Sequence, residues 1–599
     1  MCGIVGYVGN GETDAIDVLL NGLSSLEYRG YDSTGVAVAN GALRVHKREG
    51  EFSALESTLP TESLRGDSIG IGHTRWSTHG PPSDANAHPH TDSENRVAVV
   101  HNGIVENYQA LRDELTAEGV DFESETDTEV IPHLIGQALS AGAAPETAFR
   151  RAIDRLEGSY AVAAVFASSD EIYAARQESP LVLGIGDDGY YLASDAPAFI
   201  DYTDRVVYLE DGQFARLSPG EFVVTDANGT VVDTTVETLE WDAEDAGKSG
   251  YDHYMLKEIN EQPTALRQCL RGRVDGLSST VELAELADLE PSWPVQFVAC
   301  GTSYHAAMFG AELLRERGVP AQTFLASEYD ADRVLVGEST LVVGVTQSGE
   351  TADTMRALRE ANRAGARTVA VTNTVGSSAA RECDHALYIR AGPEICVAAT
   401  KTFASQQVAL TLLACRLSDA STHDVVQALR DVPDQVQHVL DTSRASEIAA
   451  EYVDSDAFFF IGRGHQYPVA LEGALKMKEI TYRHAEGFAA GELKHGPMAL
   501  VSEETPVFAV VIGDGERAHK TVSNVKEVEA RDAPVVAVTD GQTDVERYAD
   551  RVLKVPASND VAGAITANVQ LQLVSYWVAN ELGRSIDKPR HLAKSVTVE

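Results

Sequence analysis

Phe297-Val298-Ala299-Cys300-Gly301-Thr302-Ser303 and Phe459-Phe460-Ile461-Gly462-Arg463-Gly464-His465 are the stretches that decide the fold of this 599-residue chain. Each is a short apolar run that stops at a glycine turn and gives way to helical periodicity, the pattern of a strand buried on both faces followed by a helix. The order recurs downstream of each. Thr340-Leu341-Val342-Val343-Gly344-Val345, a glycine turn, a helix and Thr368-Val369-Ala370-Val371-Thr372-Asn373 have a counterpart. It runs from Thr505-Pro506-Val507-Phe508-Ala509-Val510 to Pro534-Val535-Val536-Ala537-Val538-Thr539-Asp540. The repetition predicts two copies of one α/β unit with parallel sheets, at 286–430 and 448–584.

The copies differ chemically. Thr346-Gln347-Ser348-Gly349-Glu350-Thr351 puts hydroxyls and backbone N–H groups at a helix start, where the dipole favours an anion. No lysine follows, so a nucleoside triphosphate loop is unsupported and a phosphate monoester fits better. A capped helix with incidental hydroxyls fits equally well at this point. The second copy has Ile512-Gly513-Asp514-Gly515-Glu516 there. Its acidic side chains would repel an anion, so only the first copy is expected to hold phosphate.

Residues 1–240 read differently. Short strands at Ile4–Val8, Gly35–Ala39, Ile69–His73, Val97–His101, Tyr160–Ala167, Leu181–Ile185 and Val206–Leu209 alternate with helical stretches at Ala15–Leu26, Tyr108–Glu118, Thr128–Ala141 and Glu146–Leu156. Hairpin-rich strands with helices between them predict an α+β layered domain with mostly antiparallel sheets. The polar run Trp241–Gly250 reads as a linker within 241–285, which also carries a leading helix. Residues 585–599 form a tail.

Cys2 stands one residue from the start. Once Met1 is removed, it carries a thiol and a free α-amine that titrates near pH ~8, so the amine can act as base for its own side chain. A small apolar thiol opening a buried strand is the other reading. Downstream, His73-Thr74-Arg75-Trp76-Ser77-Thr78-His79-Gly80 ends a strand in a polar loop, and an arginine there can grip a carboxylate bidentately. Asn102-Gly103 after a strand offers a side-chain amide and a backbone N–H together, the parts of an oxyanion hole. His73, His79, His88, His90 and His101 have no ligand spacing, so no metal is expected.

Composition narrows the class. Hydrophobic residues make up 44% of the chain, enough for several cores. Acidic residues outnumber basic ones 91 to 48, a net charge of −43 spread without blocks. Such a surface repels nucleic acid and is of the kind that stays solvated at high salt. No apolar run reaches the ~20 residues of a membrane span, and the start lacks a secretory pattern. Six scattered cysteines read as reduced thiols, so a cytoplasmic location is expected.

Taken together, Cys2–Gly6, Leu26-Glu27-Tyr28-Arg29-Gly30-Tyr31-Asp32-Ser33, Gly72–Gly80 and His101–Gly103 resemble the N-terminal-nucleophile (Ntn) glutaminase domain of class II glutamine amidotransferases, a four-layer α+β fold. The remainder resembles the paired sugar-isomerase (SIS) domains of the glutamine–fructose-6-phosphate aminotransferase family. The segments that carry this are Cys300–Ser303, Thr346–Thr351, Leu471–Glu479, Gly491–Pro497 and Leu592–Glu599.

The resemblance implies that ammonia released from glutamine converts fructose 6-phosphate to glucosamine 6-phosphate, the first step towards amino sugars such as UDP-N-acetylglucosamine, without a cofactor. It implies Cys2 as nucleophile, Asn102 and Gly103 as oxyanion donors, and Arg75, Thr78, His79 and Asp127 as the glutamine grip. Thr302, Ser303, Thr346, Gln347, Ser348 and Thr351 would hold the sugar phosphate, with Lys594 forming the Schiff base, Glu479 moving the proton and Lys476 beside it. His495 would assist ring opening from the neighbouring subunit of a homodimer. Trp76 would gate the ammonia channel, with the tail near Arg590 packed on Tyr31. Ala399 departs from the serine usual in that family. Two rivals are another class II amidotransferase, acting on a phosphoribosyl diphosphate, and a sugar-phosphate-binding regulator with an inert glutaminase fold. The duplicated unit and the terminal lysine tell against the first, and intact Cys2, Glu479 and Lys594 against the second.

Overall fold

The strand Gly3–Gly9 is buried at every position, which demands cover on both of its faces. In the computed structural model it pairs antiparallel with Ile69–Arg75 on one side and Gly189–Ala193 on the other. The structure describes all residues except 1, 12, 240–247, 276–278, 290–292 and 598–599. Most of the expected linker Trp241–Gly250 therefore lies outside the described residues, as does Met1. By its contacts the chain divides into two units, Met1–Gly247 with Ala593–Glu599, and Lys248–Leu592.

In the first unit, eight antiparallel strands form one sheet in the order 237–238, 205–208, 182–185, 189–193, 3–9, 69–75, 33–39, 43–49. Six form a second sheet in the order 221–225, 214–218, 172–177, 158–166, 97–105, 90–91. Ile4, Val8, Ile71, Val100, Ala163 and Leu192 belong to one apolar cluster that joins the two sheets. A separate cluster joins the outer face of the second sheet to the helices Tyr108–Ala117, Val130–Ser140 and Pro145–Ile153. The helix Ala15–Ser25 lies against the first sheet through Leu19 and Leu23. Gly70 and Gly72 permit this, because a Cβ on either would come within 2.9 Å of those leucines. The result is a four-layer helix–sheet–sheet–helix domain: the antiparallel α+β layering follows the alternation of short strands and helices, and the four layers are those that the resemblance implies.

Sequence reading does not propose Leu43–Glu49 as a strand, because this edge strand is only half-buried and carries Arg44, His46, Lys47, Arg48 and Glu49. It is held by its full register against Ser33–Ala39.

The second unit holds two five-stranded parallel sheets of identical order. One runs 321–325, 295–299, 341–345, 367–372, 385–388, the other 484–489, 457–462, 507–511, 535–539, 551–554. The repeat seen in the sequence is thus a repeat of topology. A single hydrophobic cluster includes Phe297 and Val343 of the first sheet, Phe460 and Val538 of the second, and helices of both copies. The helix Asp560–Glu581 is apolar almost all round and nearly wholly buried, which is the pattern of a central core helix. On it, Gln572 donates to the Thr400 carbonyl at 3.2 Å and accepts from Gln262 at 2.9 Å. Among the described residues no helix is long and apolar enough to cross a membrane.

Candidate active sites

Cys2 precedes the central strand of the first sheet. Its Sγ accepts from the Trp76 N–H at 3.3 Å and lies 3.5 Å from the Trp76 carbonyl, so the thiol sits against the end of Ile69–Arg75. The Cys2 carbonyl accepts from Asn102 Nδ2 at 2.9 Å and from Arg29 Nε at 3.2 Å. Arg29 is itself fixed by Asp195 at 2.9 Å. Thiol and amide therefore come from strands of the two facing sheets.

The orientation of Asn102 is set by His73. The His73 Nε2 lies 3.0 Å from the His101 carbonyl and 3.1 Å from Asn102 Oδ1, and a carbonyl can only accept. Nε2 must carry the proton, which turns the Asn102 NH2 towards Cys2. Burial favours the neutral ring, pushing the His73 pKa down to about 3. Gly103 follows at φ +118°, a conformation that favours glycine, and a Cβ there would lie 2.0 Å from the Ser159 carbonyl oxygen. On the oxyanion role that the resemblance implies, replacing Asn102 with alanine should slow glutamine hydrolysis by about 10²–10³-fold with little change in KM. Steady-state glutaminase kinetics check this, and a variant within a few-fold of wild type would remove Asn102 from that role.

Arg75 is buried and donates to the carbonyls of His79 and Gly80, while its Nη1 has no hydrogen-bond partner. Burial lowers its pKa, and the nearby Cys2, Asp127 and Asp32 oppose that shift. Asp127 is buried and accepts from the Val105 N–H at 2.9 Å. An open guanidinium edge and a buried carboxylate near one thiol make a fitting cradle for an α-amino acid. Thr78 is exposed, and His79 packs edge-on against Tyr108. Trp76 meets Tyr31 edge-on at 5.4 Å. Arg29 is a positioning residue that sequence reading passed over, although it sits inside the Leu26–Ser33 motif, whereas His73, weighed there only against a metal, is a structural histidine that orients Asn102. No group of histidine, cysteine or acidic side chains with metal-holding geometry occurs among the described residues.

Four buried histidines around this site are expected to make the unit less stable in acid. Burial lowers the pKa of His73, His88, His90 and His101 alike. In the unfolded chain each takes up a proton below about pH 6.5, whereas the folded rings stay neutral. The unfolded state binds more protons, so stability falls as pH drops through that value, by up to about 1.4 kcal/mol per pH unit per ring. Glu129, held down at about 2 by His133 at 3.6 Å and by hydrogen bonds from Ser124 and the Glu123 N–H, which together outweigh its burial, adds to the loss below pH ~4.5. Denaturation midpoints at pH 7.5, 6 and 5 should decline steadily, and a flat profile would contradict the argument.

In the second unit, the helices Gly301–Glu316 and Gln466–Thr481, one from each copy, bring a charged cluster together. Glu472, Lys476 and Glu479 follow i, i+4, i+7 spacing on one face of the latter. The Lys476 Nζ lies 2.5 Å from Glu479 Oε2, 3.3 Å from Glu472 Oε1 and 3.1 Å from Thr302 Oγ1. Glu472 also accepts from Thr302 at 2.9 Å and pairs with His305 at 2.8 Å. Lys476 is fully buried, which alone would disfavour its charge, but the two carboxylates raise its pKa strongly. Burial likewise opposes ionisation of Glu472, and the Lys476 ammonium with His305 and Thr302 outweighs it. Glu472 is the site residue that sequence reading left unassigned, although the i, i+4 spacing to Lys476 was in view.

Nearby, Ser303 accepts from Gln406 at 2.9 Å. Thr346 and Thr351 hydroxyls lie 3.1 Å apart across the turn, the Gly349 N–H donates to Thr346 Oγ1 at 3.2 Å, and the Glu350 N–H donates to Ser348 Oγ at 3.1 Å. The Gln347 carbonyl accepts from the Asn373 N–H at 3.0 Å. Gly349 has φ +71°, and a Cβ would lie 2.1 Å from Ser377 Oγ, so the tight turn requires glycine. His495 is exposed at the end of the short turn Glu492–His495. Lys594 is half-buried in the terminal segment that clusters with the first unit.

These two sites define the class: a glutamine amidotransferase domain joined to a duplicated sugar-isomerase unit. A family model described as "Glutamine amidotransferase domain" matches residues 73–201, and one described as "SIS domain" matches 290–416 and 451–582. The chain is 53% identical to the glutamine–fructose-6-phosphate aminotransferase (isomerizing) of Halobacterium salinarum and 48% identical to that of Symbiobacterium thermophilum, in both cases over 100% of each chain. Among solved structures, the C-terminal domain of glucosamine-fructose-6-phosphate aminotransferase from Francisella tularensis matches with a TM-score of 0.54 at 37% identity. It covers 57% of this chain and 100% of that one. The chain belongs to the glutamine–fructose-6-phosphate aminotransferase (isomerizing) family.

Proposed function

We propose that this protein hydrolyses glutamine at Cys2 and delivers the ammonia to fructose 6-phosphate, yielding glutamate and glucosamine 6-phosphate. The observation that carries the reading is the joint presence of a thiol backed by an oriented amide and a buried Glu–Lys–Glu cluster beside a hydroxyl-lined turn. Full-length identity to family members supports it.

At the first site Cys2 Sγ attacks the glutamine amide, with its own α-amine as base after removal of Met1. Asn102 Nδ2 and the Gly103 N–H receive the developing oxyanion. Arg75 takes the α-carboxylate, aided by Thr78 and His79, and Asp127 takes the α-ammonium. Ammonia leaves past Trp76, which Tyr31 meets edge-on, and a dry route keeps it from becoming non-nucleophilic ammonium.

At the second site Thr302, Ser303, Thr346, Gln347, Ser348 and Thr351 hold the sugar phosphate, and Lys594 forms an imine with its C2 ketone. Ammonia displaces the lysine, and Glu479 then takes a proton from C1 and returns one to C2. Lys476, held cationic, stabilises the charge that this transfer builds. The exposed His495 assists ring opening in the partner subunit of a homodimer, and the reaction runs in the cytoplasm.

One incubation with glutamine and fructose 6-phosphate tests the reading. Glutamate and glucosamine 6-phosphate should appear in equal amounts. Glutamate alone, or a hexose isomer formed without glutamine dependence, would overturn it. Replacing Trp76 with alanine should spare most glutamine hydrolysis while lowering the yield of amino sugar per glutamate, and equal loss of both would argue against a gate.

A further inference from the structure

The acidic turn Gly513–Glu516 argues from sequence that the second α/β copy holds no anion. The fold adds cations that the turn alone does not reveal. At the carboxyl ends of the strands 457–462 and 507–511 there is a crevice of about 490 Å³. These strands are the neighbours at which the order of the second sheet reverses, the place where open α/β sheets take ligands. The volume is that of a small-molecule site.

Four cations line the crevice, Arg315, Arg463, Arg517 and Lys520, against two lining carboxylates, Glu312, which also pairs with Arg315 at 2.7 Å, and Glu516, with Glu316 a third carboxylate on Arg517. That excess runs opposite to a chain with 91 acidic and 48 basic residues. Two glycines make room for the guanidinium groups. A Cβ on Gly464 would lie 2.5 Å from Arg517 Nη1, and one on Gly491 would lie 2.6 Å from Arg463 Nη2. Arg517 is held by Glu312 at 2.7 Å and by Glu316, and Lys520 by Glu516 at 2.6 Å. Arg463 donates to Asn524 at 3.0 Å, while its buried Nε has no hydrogen-bond partner.

We propose that this crevice binds a phosphorylated sugar without reacting it, as a second ligand site that pairs with the sugar-phosphate site of the first copy; the inference rests on the function proposed above. Guanidinium groups grip a phosphate monoester bidentately. The internal repeat explains the absence of chemistry. With Gly301 aligned on Gly464, Tyr304 falls on Tyr467, and the positions of Glu472 and Lys476 fall on Phe309 and Leu313. The buried acid and base of the reacting site are thus apolar residues in its counterpart.

Equilibrium dialysis with labelled glucitol 6-phosphate, which has the phosphate and hydroxyls but no carbonyl to react, tests this. The wild-type chain should bind two molecules. The double variant Arg463→Ala/Lys520→Ala should bind one, its second site weakened at least tenfold, and should keep glutamine-dependent synthesis as proof of fold. The double variant Ser348→Ala/Thr351→Ala should retain this site and lose the other. One molecule bound by the wild type, or two still bound by Arg463→Ala/Lys520→Ala, would overturn the inference. No binding to the wild type would overturn the sugar-phosphate reading of the first copy as well.

Discussion

Replacing Cys2 with alanine is expected to lower glutamine hydrolysis by at least about 10³-fold, since loss of a nucleophile leaves only binding and oxyanion stabilisation. The fold should survive. Cys2 is half-buried at the start of a strand whose register against Thr74 begins at Gly3, and its carbonyl, the acceptor for Asn102 and Arg29, is unchanged by the substitution. Ammonium chloride supplied in place of glutamine should restore synthesis of glucosamine 6-phosphate, because the charged cluster of the second unit is untouched. Paired assays with the two nitrogen donors decide the matter. Residual glutaminase near wild-type level would remove Cys2 from catalysis. Loss of ammonia-driven synthesis in a folded variant would mean that the two activities are not separable. Mass measurement of the active protein should show that Met1 is gone, because an acylated amine cannot act as base.

Changing Lys476 to methionine is expected to damage stability and sugar chemistry together. The side chain is 1% exposed and the carboxylate of Glu472 fully buried. Removing one member of such a pair leaves an uncompensated buried charge, at a cost of about 3–5 kcal/mol. The paired charge contributes below the unfolded lysine pKa of about 10.5 and is lost only as pH rises through the higher folded value. The deficit should therefore be constant across neutral pH. Glutaminase activity, built wholly within the other unit, should persist. Calorimetry with both partial activities separates the outcomes. A variant of wild-type stability that still converts fructose 6-phosphate would show that the cluster contributes neither charge balance nor chemistry.

Much of this was legible in the chain. The repeated strand–glycine–helix pattern announced the parallel sheets because strands buried on both faces are uniformly apolar. Central strands such as Gly3–Gly9, Ile69–Arg75 and Val97–Val105 were readable for the same reason, whereas the interior strands Ile172–Gln177 and Gly189–Ala193 and the half-polar edge strand Leu43–Glu49 were not. Motif residues such as Cys2, Asn102 and Glu479 could be named individually. Their partners could not, since the link from His73 to Asn102 crosses two sheets and that from Thr302 to Glu472 crosses two copies of the repeat. The crevice cations were missed for a related reason: Arg463 and Arg517 are 54 positions apart in sequence and meet only when the second sheet forms.

The cluster that runs through both parallel sheets and the helix Asp560–Glu581 carries a consequence for how this protein can be cut. Neither copy owns a complete interior. A chain ended after residue 430 would leave Val298-side strands seated but would strip packing from Met255, Leu266 and Leu429, so it should aggregate rather than survive as a small isomerase. Because the two copies share one interior, they are expected to melt in a single transition.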